Sequence, residues 1–253
     1  MAMLEIRDLN KHFGGLAAIN DLDLDVFESE VLGIIGPNGA GKTTLFNVVT
    51  GFFPPTSGRV KFEGEDISGL RADQIARRGI GRTFQASVLF MEATVFNNVF
   101  TSFHMYYRQP KWKAFLHTPS ARKEELAIKQ KAREILEFMD IASVKDELAV
   151  NLPHGHQRIL GICVALATNP KLLLLDEPVT GMNPVETSTM AGLIRKIRER
   201  GTTIIIVEHD MKTIMSLCGR IAVLNHGNKI AEGSPEEIKN NKEVIKAYLG
   251  MEI

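Results

Sequence analysis

The rhythm of hydrophobic and polar positions changes several times along this chain, and each rhythm predicts a different element. Leu4-Glu5-Ile6-Arg7 and Leu22-Asp23-Leu24-Asp25-Val26 alternate with period two, which predicts antiparallel strands solvated on one face. Val31-Leu32-Gly33-Ile34-Ile35 is continuously apolar, as a strand buried on both faces of a parallel sheet should be. A Gly-rich turn follows, then a helix from about Lys42 to Thr50. Pro54-Pro55-Thr56-Ser57-Gly58 breaks the chain ahead of a short hairpin over 58–68. Two further buried strands are expected, Leu172 to Leu175 and Thr202 to Val207. Between them a helix runs from Pro184 to about Arg200, with proline in its first turn. Ile221 to Leu224 and Lys229 to Ala231 flank Asn225-His226-Gly227-Asn228, a hairpin signal. Strands alternating with helices predict an α/β fold around a mainly parallel sheet.

The middle third is different. From Ala93 to Lys123 there is no Asp or Glu, while Arg108, Lys111, Lys113, Arg122 and Lys123 are basic, and seven of the 17 aromatic residues fall there. Ile128, Ala132, Ile135, Leu136 and Met139 then follow helical spacing. The expectation is a single domain over 1–253: an α/β core with an antiparallel β subdomain over 1–87 and 169–253, and a mainly helical insertion over 88–168. Apolar residues at 44% and charged residues at 24% exclude a disordered or fibrous chain. The balance of 30 Lys+Arg against 30 Asp+Glu gives no bulk attraction to nucleic acid or an anionic membrane. Cys163 and Cys218 sit in apolar helical contexts and read as buried thiols. No apolar run approaches the roughly 18 residues that span a bilayer, and the N-terminus lacks a signal-peptide pattern. A cytosolic protein, or one resting on a membrane without entering it, is expected.

Chemistry concentrates in a few segments. Gly36-Pro37-Asn38-Gly39-Ala40-Gly41-Lys42-Thr43 matches the phosphate-binding loop G-x-x-x-x-G-K-[ST], with a buried strand before it and a helix after it. Its glycines let backbone N–H groups converge on an anion at the positive end of a helix dipole. Lys42 adds a charge for the β- and γ-phosphates, and the Thr43 hydroxyl suits Mg²⁺. Asp176-Glu177 closes a buried strand. Alone, such a pair also fits a core strand reaching the surface. Beside a phosphate loop, Asp176 suits the Mg²⁺ shell and Glu177 suits a general base acting on water. His209 ends another buried strand, where a hydrogen-bonded structural histidine is the plainer reading. Gly81-Arg82-Thr83-Phe84-Gln85 is unreadable by itself.

Taken together, in this order along the chain, these segments resemble the ATP-binding subunits of ABC transporters, and the resemblance covers essentially the whole chain. Within that family the chain looks most like the ATPase subunits of branched-chain amino acid importers. That likeness is carried by Lys11-His12-Phe13-Gly14-Gly15-Leu16, Gly79-Ile80-Gly81-Arg82-Thr83-Phe84-Gln85, the insertion ending Leu116-His117-Thr118-Pro119, and Gly181-Met182-Asn183-Pro184-Val185-Glu186-Thr187. The resemblance implies ATP and Mg²⁺ as cofactors, with the loop through Thr44 around the phosphates and Phe13 stacked on adenine. It implies that Gln85 joins Thr43 and Asp176 at the metal and couples it to a transmembrane permease subunit. It further implies that His209 contacts the γ-phosphate beside the base Glu177. A second ATPase subunit would close head to tail on this one, Gly155 reaching its nucleotide. A solute-binding protein would act indirectly, and the whole would sit peripherally on the cytoplasmic face of the inner membrane.

One departure stands out. The family's L-S-G-G-Q signature is here Leu152-Pro153-His154-Gly155-His156-Gln157. Proline has neither hydroxyl nor N–H, so two donors are gone from a site where one can be worth about 3 kcal/mol. A weak half-site, and hence a heterodimer with a different ATPase, is the expectation. The alternative is that His154 or His156 supplies the missing donors. Alternative functions are a lipid or lipopolysaccharide exporter ATPase and a soluble ABC-type ATPase unattached to a membrane. The basic-aromatic stretch reads as subdomain core or permease groove rather than a nucleic-acid site. After Ile230 only one or two helices are expected, with no regulatory domain.

Overall fold

The computed structural model describes residues 2–83, 89–106 and 119–249. It divides into two compact units, Met1–Arg82 with Lys171–Ile253, and Thr83–Pro170.

The first unit holds two sheets. The four-stranded one is antiparallel, ordered β2-β1-β4-β5, from β1 (Ala2–Phe13), β2 (Leu16–Phe27), β4 (Ser57–Phe62) and β5 (Glu65–Asp66). Its alternation resolves as read: Leu4, Ile6, Leu22, Leu24 and Val26 are buried. The six-stranded sheet is ordered β10-β9-β3-β8-β7-β6, from β3 (Val31–Ile35), β6 (Ile80–Arg82), β7 (Leu172–Asp176), β8 (Thr203–Val207), β9 (Arg220–Asn225) and β10 (Asn228–Gly233). Every neighbouring pair is parallel except the edge hairpin β9–β10. Each residue of β3, β7 and β8 is buried, which is why those strands carry unbroken apolar runs. Strand β6 has no periodic signature, because three residues are too few to show one; its pairing with β7 is a tertiary choice. In β3, Gly33 is required by packing: a Cβ there would lie 2.9 Å from the Cys218 sulfur.

Helices of this unit are α1 (Lys42–Val49), α2 (Ala72–Arg77), α6 (Pro184–Glu199), α7 (Met211–Leu217), α8 (Pro235–Lys239) and α9 (Lys242–Leu249); α3 to α5 belong to the second unit. Helix α6 starts where it does because the Asn183 side chain accepts from the Val185 and Glu186 N–H groups while Glu186 accepts from the Asn183 N–H. Ser234 and Glu237 cap α8 in the same reciprocal way.

The second unit is mainly helical, with α3 (Val95–Ser102), α4 (Pro119–Phe138) and α5 (His154–Leu166). Val95, Val99, Ala132, Leu136, Leu160 and Cys163 are buried in it. Buried Asn98 accepts from the Phe90 N–H at 2.8 Å and donates to the Phe90 and Thr94 carbonyls, each at 3.0 Å. It thereby fixes the turn that leads into α3. Of the aromatic residues in the basic stretch, Phe103 is buried. Phe96 and Phe100 stack at 5.9 Å, beneath the Arg133 guanidinium and Lys129 ammonium of α4 respectively. Tyr107, Trp112 and Phe115 lie outside the described residues. Both cysteines are buried and free. Among the described residues no helix is long and apolar enough to cross a membrane.

Candidate functional site

Parallel register gathers the chemistry at one sheet edge. Ile34, Val207 and Asp176 lie in one row across β3, β8 and β7. The phosphate-type loop, Glu177 and the Glu208-His209 segment therefore all leave the sheet at its carboxyl end, where open α/β sheets bind ligands.

The loop is shaped by backbone that only glycine tolerates. Gly36, Gly39 and Gly41 have φ of +151°, +79° and +103°. A Cβ at Gly36 would lie 2.1 Å from the Leu224 carbonyl oxygen, and one at Gly41 would lie 2.4 Å from that of Ala18. The loop is thus pressed against β9 on one side and β2 on the other. The Gly227 N–H donates to the Ala40 carbonyl at 3.1 Å. Helix α1 has Gly41 as its N-cap and so no side-chain cap, which leaves its first-turn amides without a capping acceptor. Lys42, only 9% exposed, folds back to donate to the Gly36 and Pro37 carbonyls at 2.7 and 2.9 Å. Burial lowers its pKa, while the charges of Glu177 and Asp176 oppose that shift. Pro37 and Thr44 are half-buried, Ala40 is buried, and Asn38 and Thr43 are exposed.

Asp176 closes β7 against Arg82, the last residue of β6. The Arg82 Nη2 donates to Asp176 Oδ2 at 2.9 Å, with side chains 6% and 4% exposed. The same guanidinium donates to Asn47 Oδ1 at 2.6 Å and lies over the Phe46 ring of α1 at 5.4 Å. Glu177 adopts φ +49°, a left-handed turn costing a non-glycine residue roughly 1–2 kcal/mol. Its N–H donates to the Val207 carbonyl at 2.9 Å, and its Oε2 accepts from the Thr180 hydroxyl at 3.3 Å. His209 projects with its side chain 63% exposed. The next residue, Asp210, caps α7 through the Lys212 N–H and the Thr213 hydroxyl. Phe13, at the end of β1, packs edge-on to Phe53 at 5.3 Å beneath the Lys11 ammonium at 4.9 Å.

The structure thus groups Lys42, Asp176 and Glu177 electrostatically and sets His209 at the same sheet edge. Gln85 lies outside the described residues. In the helical unit, Pro153 is the N-cap of α5 and makes no side-chain cap. Gly155 is buried in the first turn, His154 is exposed and His156 half-buried. Gln157 donates to the Ala149 and Leu152 carbonyls, both at 3.2 Å. Among the described residues no cluster of three or more His, Cys, Asp or Glu could hold a metal. Two residues escape the sequence reading: Arg82, whose partner is 94 positions away, and Glu208, which reads as a polar residue at a strand end.

A parallel sheet, a glycine-shaped loop feeding a helix, and paired acids on the next strand but one define a P-loop ATPase. Residues 19–180 match the family model described as ABC transporter, and residues 228–250 match the one described as Branched-chain amino acid ATP-binding cassette transporter. The chain belongs to the ABC transporter family, as an ATP-binding subunit whose ATPase activity is coupled to transport. It is 43% identical over 249 residues to the high-affinity branched-chain amino acid transport ATP-binding protein BraF of Pseudomonas aeruginosa, covering 98% of each chain. It is 42% identical to LivG, of the same description, from Escherichia coli K12, again over 98% of each. Among solved structures, the ADP conformation of an ATP-binding cassette of an ABC transporter superposes with a TM-score of 0.87 at 31% identity, covering 99% of both chains.

Proposed function

We propose that this chain is the ATP-hydrolysing subunit of an importer for branched-chain amino acids. The hydrolytic part of this reading is supported most by the grouping of a glycine-shaped phosphate loop, a buried Lys42 and the Asp176-Glu177 pair at one sheet edge, and the substrate class by the 42–43% identity to BraF and LivG. The uncapped amides of α1 and Lys42 receive the phosphates, Lys42 exchanging its carbonyl bonds for phosphate oxygens. Phe13 offers a ring face to adenine.

The donor set suits Mg²⁺: a hydroxyl at Thr43 and a carboxylate at Asp176 are hard oxygen ligands, and the family resemblance would add the amide oxygen of Gln85, which lies outside the described residues. Bound there, the ion would neutralise charge on the β- and γ-phosphates. Glu177 accepts the proton of the attacking water at its carboxylate, held by its turn and by Thr180. His209, standing free of the strand, orients toward the γ-phosphate. Gly155 serves the nucleotide of a second ATPase subunit, and the lost donors at Pro153 make that half-site weak, so a heterodimer is favoured.

An exposed apolar patch in the helical unit, Phe90, Met91, Leu148 and Val150, is drawn together by the bond from the Val150 N–H to the Met91 carbonyl at 3.0 Å. This patch is proposed to seat the permease, placing the chain peripherally on the cytoplasmic face of the inner membrane, served indirectly by a solute-binding protein. The test is ATP turnover by the purified chain against its own concentration, with Glu177→Gln as control. The expected result is ATP binding with low turnover that rises only when a partner ATPase bearing an intact signature is added. A rate growing with the square of concentration overturns the heterodimer. Equal nucleotide affinity in wild type and Lys42→Ala overturns the site.

A further inference from the structure

We propose that Glu208 is a positioning residue of the hydrolytic site, its buried carboxylate tying the turn after Glu177 to the His209 segment. The tie is direct. Glu208 Oε1 accepts from the Val179 N–H at 2.8 Å, and Oε2 accepts from the His209 N–H at 3.1 Å. Its side chain is fully buried, at 0% exposure.

The position explains why a carboxylate is needed. Strands β7 and β8 run in register to Asp176 and Val207, and one more bond, Glu177 N–H to the Val207 carbonyl, continues the ladder. Beyond that point the two chains diverge into irregular turns. Their N–H groups have no ladder partner, and buried orphan amides are costly. Glu208 satisfies amides of both turns with one side chain. Burial raises the pKa of Glu208, and the backbone N–H groups oppose the rise; the carboxylate is held in apolar surroundings by these donors. Aspartate is one methylene short of bridging the same two amides. Glutamine keeps one acceptor but sets an NH₂ against an N–H. Glu208, with its side chain fully buried, acts through Val179 and His209, and so fixes the spacing between the Glu177 turn and His209.

This inference rests on the reading that Glu177 and His209 act on the nucleotide, so the test separates the two. Glu208→Gln and Glu208→Asp are compared with Glu177→Gln and His209→Ala in the assembled transporter, by turnover, fluorescent-ATP affinity and amide exchange at Val179 and His209. The expected result for both Glu208 variants is a fall in kcat of about 10-fold or more, nucleotide affinity within about 2-fold of wild type, and faster exchange at both amides. Combined with His209→Ala, Glu208→Gln should add little further loss. Unchanged exchange, a kcat within 2-fold of wild type, a kcat loss matched by an equal loss of affinity, or losses that multiply with His209→Ala would each overturn the role of Glu208. Wild-type turnover in Glu177→Gln or His209→Ala overturns the underlying reading instead. Should Glu208→Gln fail to fold, the same criteria apply to Glu208→Asp.

Discussion

Replacing Arg82 by methionine keeps much of the side-chain volume and removes the guanidinium. Asp176 then loses its buried ion-pair partner and keeps the weaker influence of the Lys42 charge, since the Arg82 pair sits at 2.9 Å with side chains 6% and 4% exposed. Removing one partner of a buried ion pair typically costs 3–5 kcal/mol, because the remaining charge keeps its desolvation penalty. Asn47 loses its donor as well, and Phe46 its cation, so the upper half of that range is expected. For a domain of about this size each kcal/mol moves Tm by about 2–4 °C, which places the Arg82→Met variant roughly 8–20 °C below wild type. Urea unfolding at constant m-value gives the same quantity independently. Adding Asp176→Asn removes the buried carboxylate charge and should recover at least half of the loss. A loss below about 1 kcal/mol, or two losses that simply sum, would refute the claim that this pair anchors β6 and α1 to the acid at the end of β7.

Further outcomes follow from the geometry. Gly36→Ala drives a methyl group onto the Leu224 carbonyl oxygen at 2.1 Å and should lower fluorescent-ATP affinity at least 10-fold. Gly64→Ala, at φ +81° with nothing within 4 Å, should cost only about 1 kcal/mol of strain and leave affinity intact. Burial pushes the Cys218 thiol up to about 12 and the Cys163 thiol higher still, so neither should react with a disulfide reagent at pH 8 unless the fold opens. Because the folded state holds these protons more tightly, their contribution to stability is intact below pH 9 and falls as pH rises through 12; an alkaline unfolding series checks the sign.

The parts of the fold visible in the sequence are those whose physics is local. Strands β3, β7 and β8 announce themselves because burial on both faces demands unbroken apolar runs. The phosphate loop does so because its φ angles demand glycine, and α6 because proline and an Asn183–Glu186 box mark its start. Strand β6 carries no such mark. Arg82 looks like one more basic residue until tertiary folding brings Asp176 to it across 94 positions. Glu208 is invisible for a different reason: its ligands are main-chain amides, which no residue type encodes. The strain at Glu177 likewise belongs to the turn and not to the glutamate.

The hairpin between β9 and β10 reaches behind the phosphate loop, with Leu224 and Gly227 against Gly36 and Ala40. It also opens the segment 228–250 that matches a separate family model. The loop is therefore a cast object with a mould, its shape set when the chain folds and not when phosphate arrives. Little conformational entropy is left for the ligand to remove, and its affinity can go into charge. One wall of the mould, at Ala18 of β2, precedes the loop in the chain, and the other, at Leu224 and Gly227, follows it by nearly two hundred residues. During synthesis on the ribosome the anion cradle can emerge early with β2 beside it, but its second wall arrives only when the β9–β10 hairpin is released.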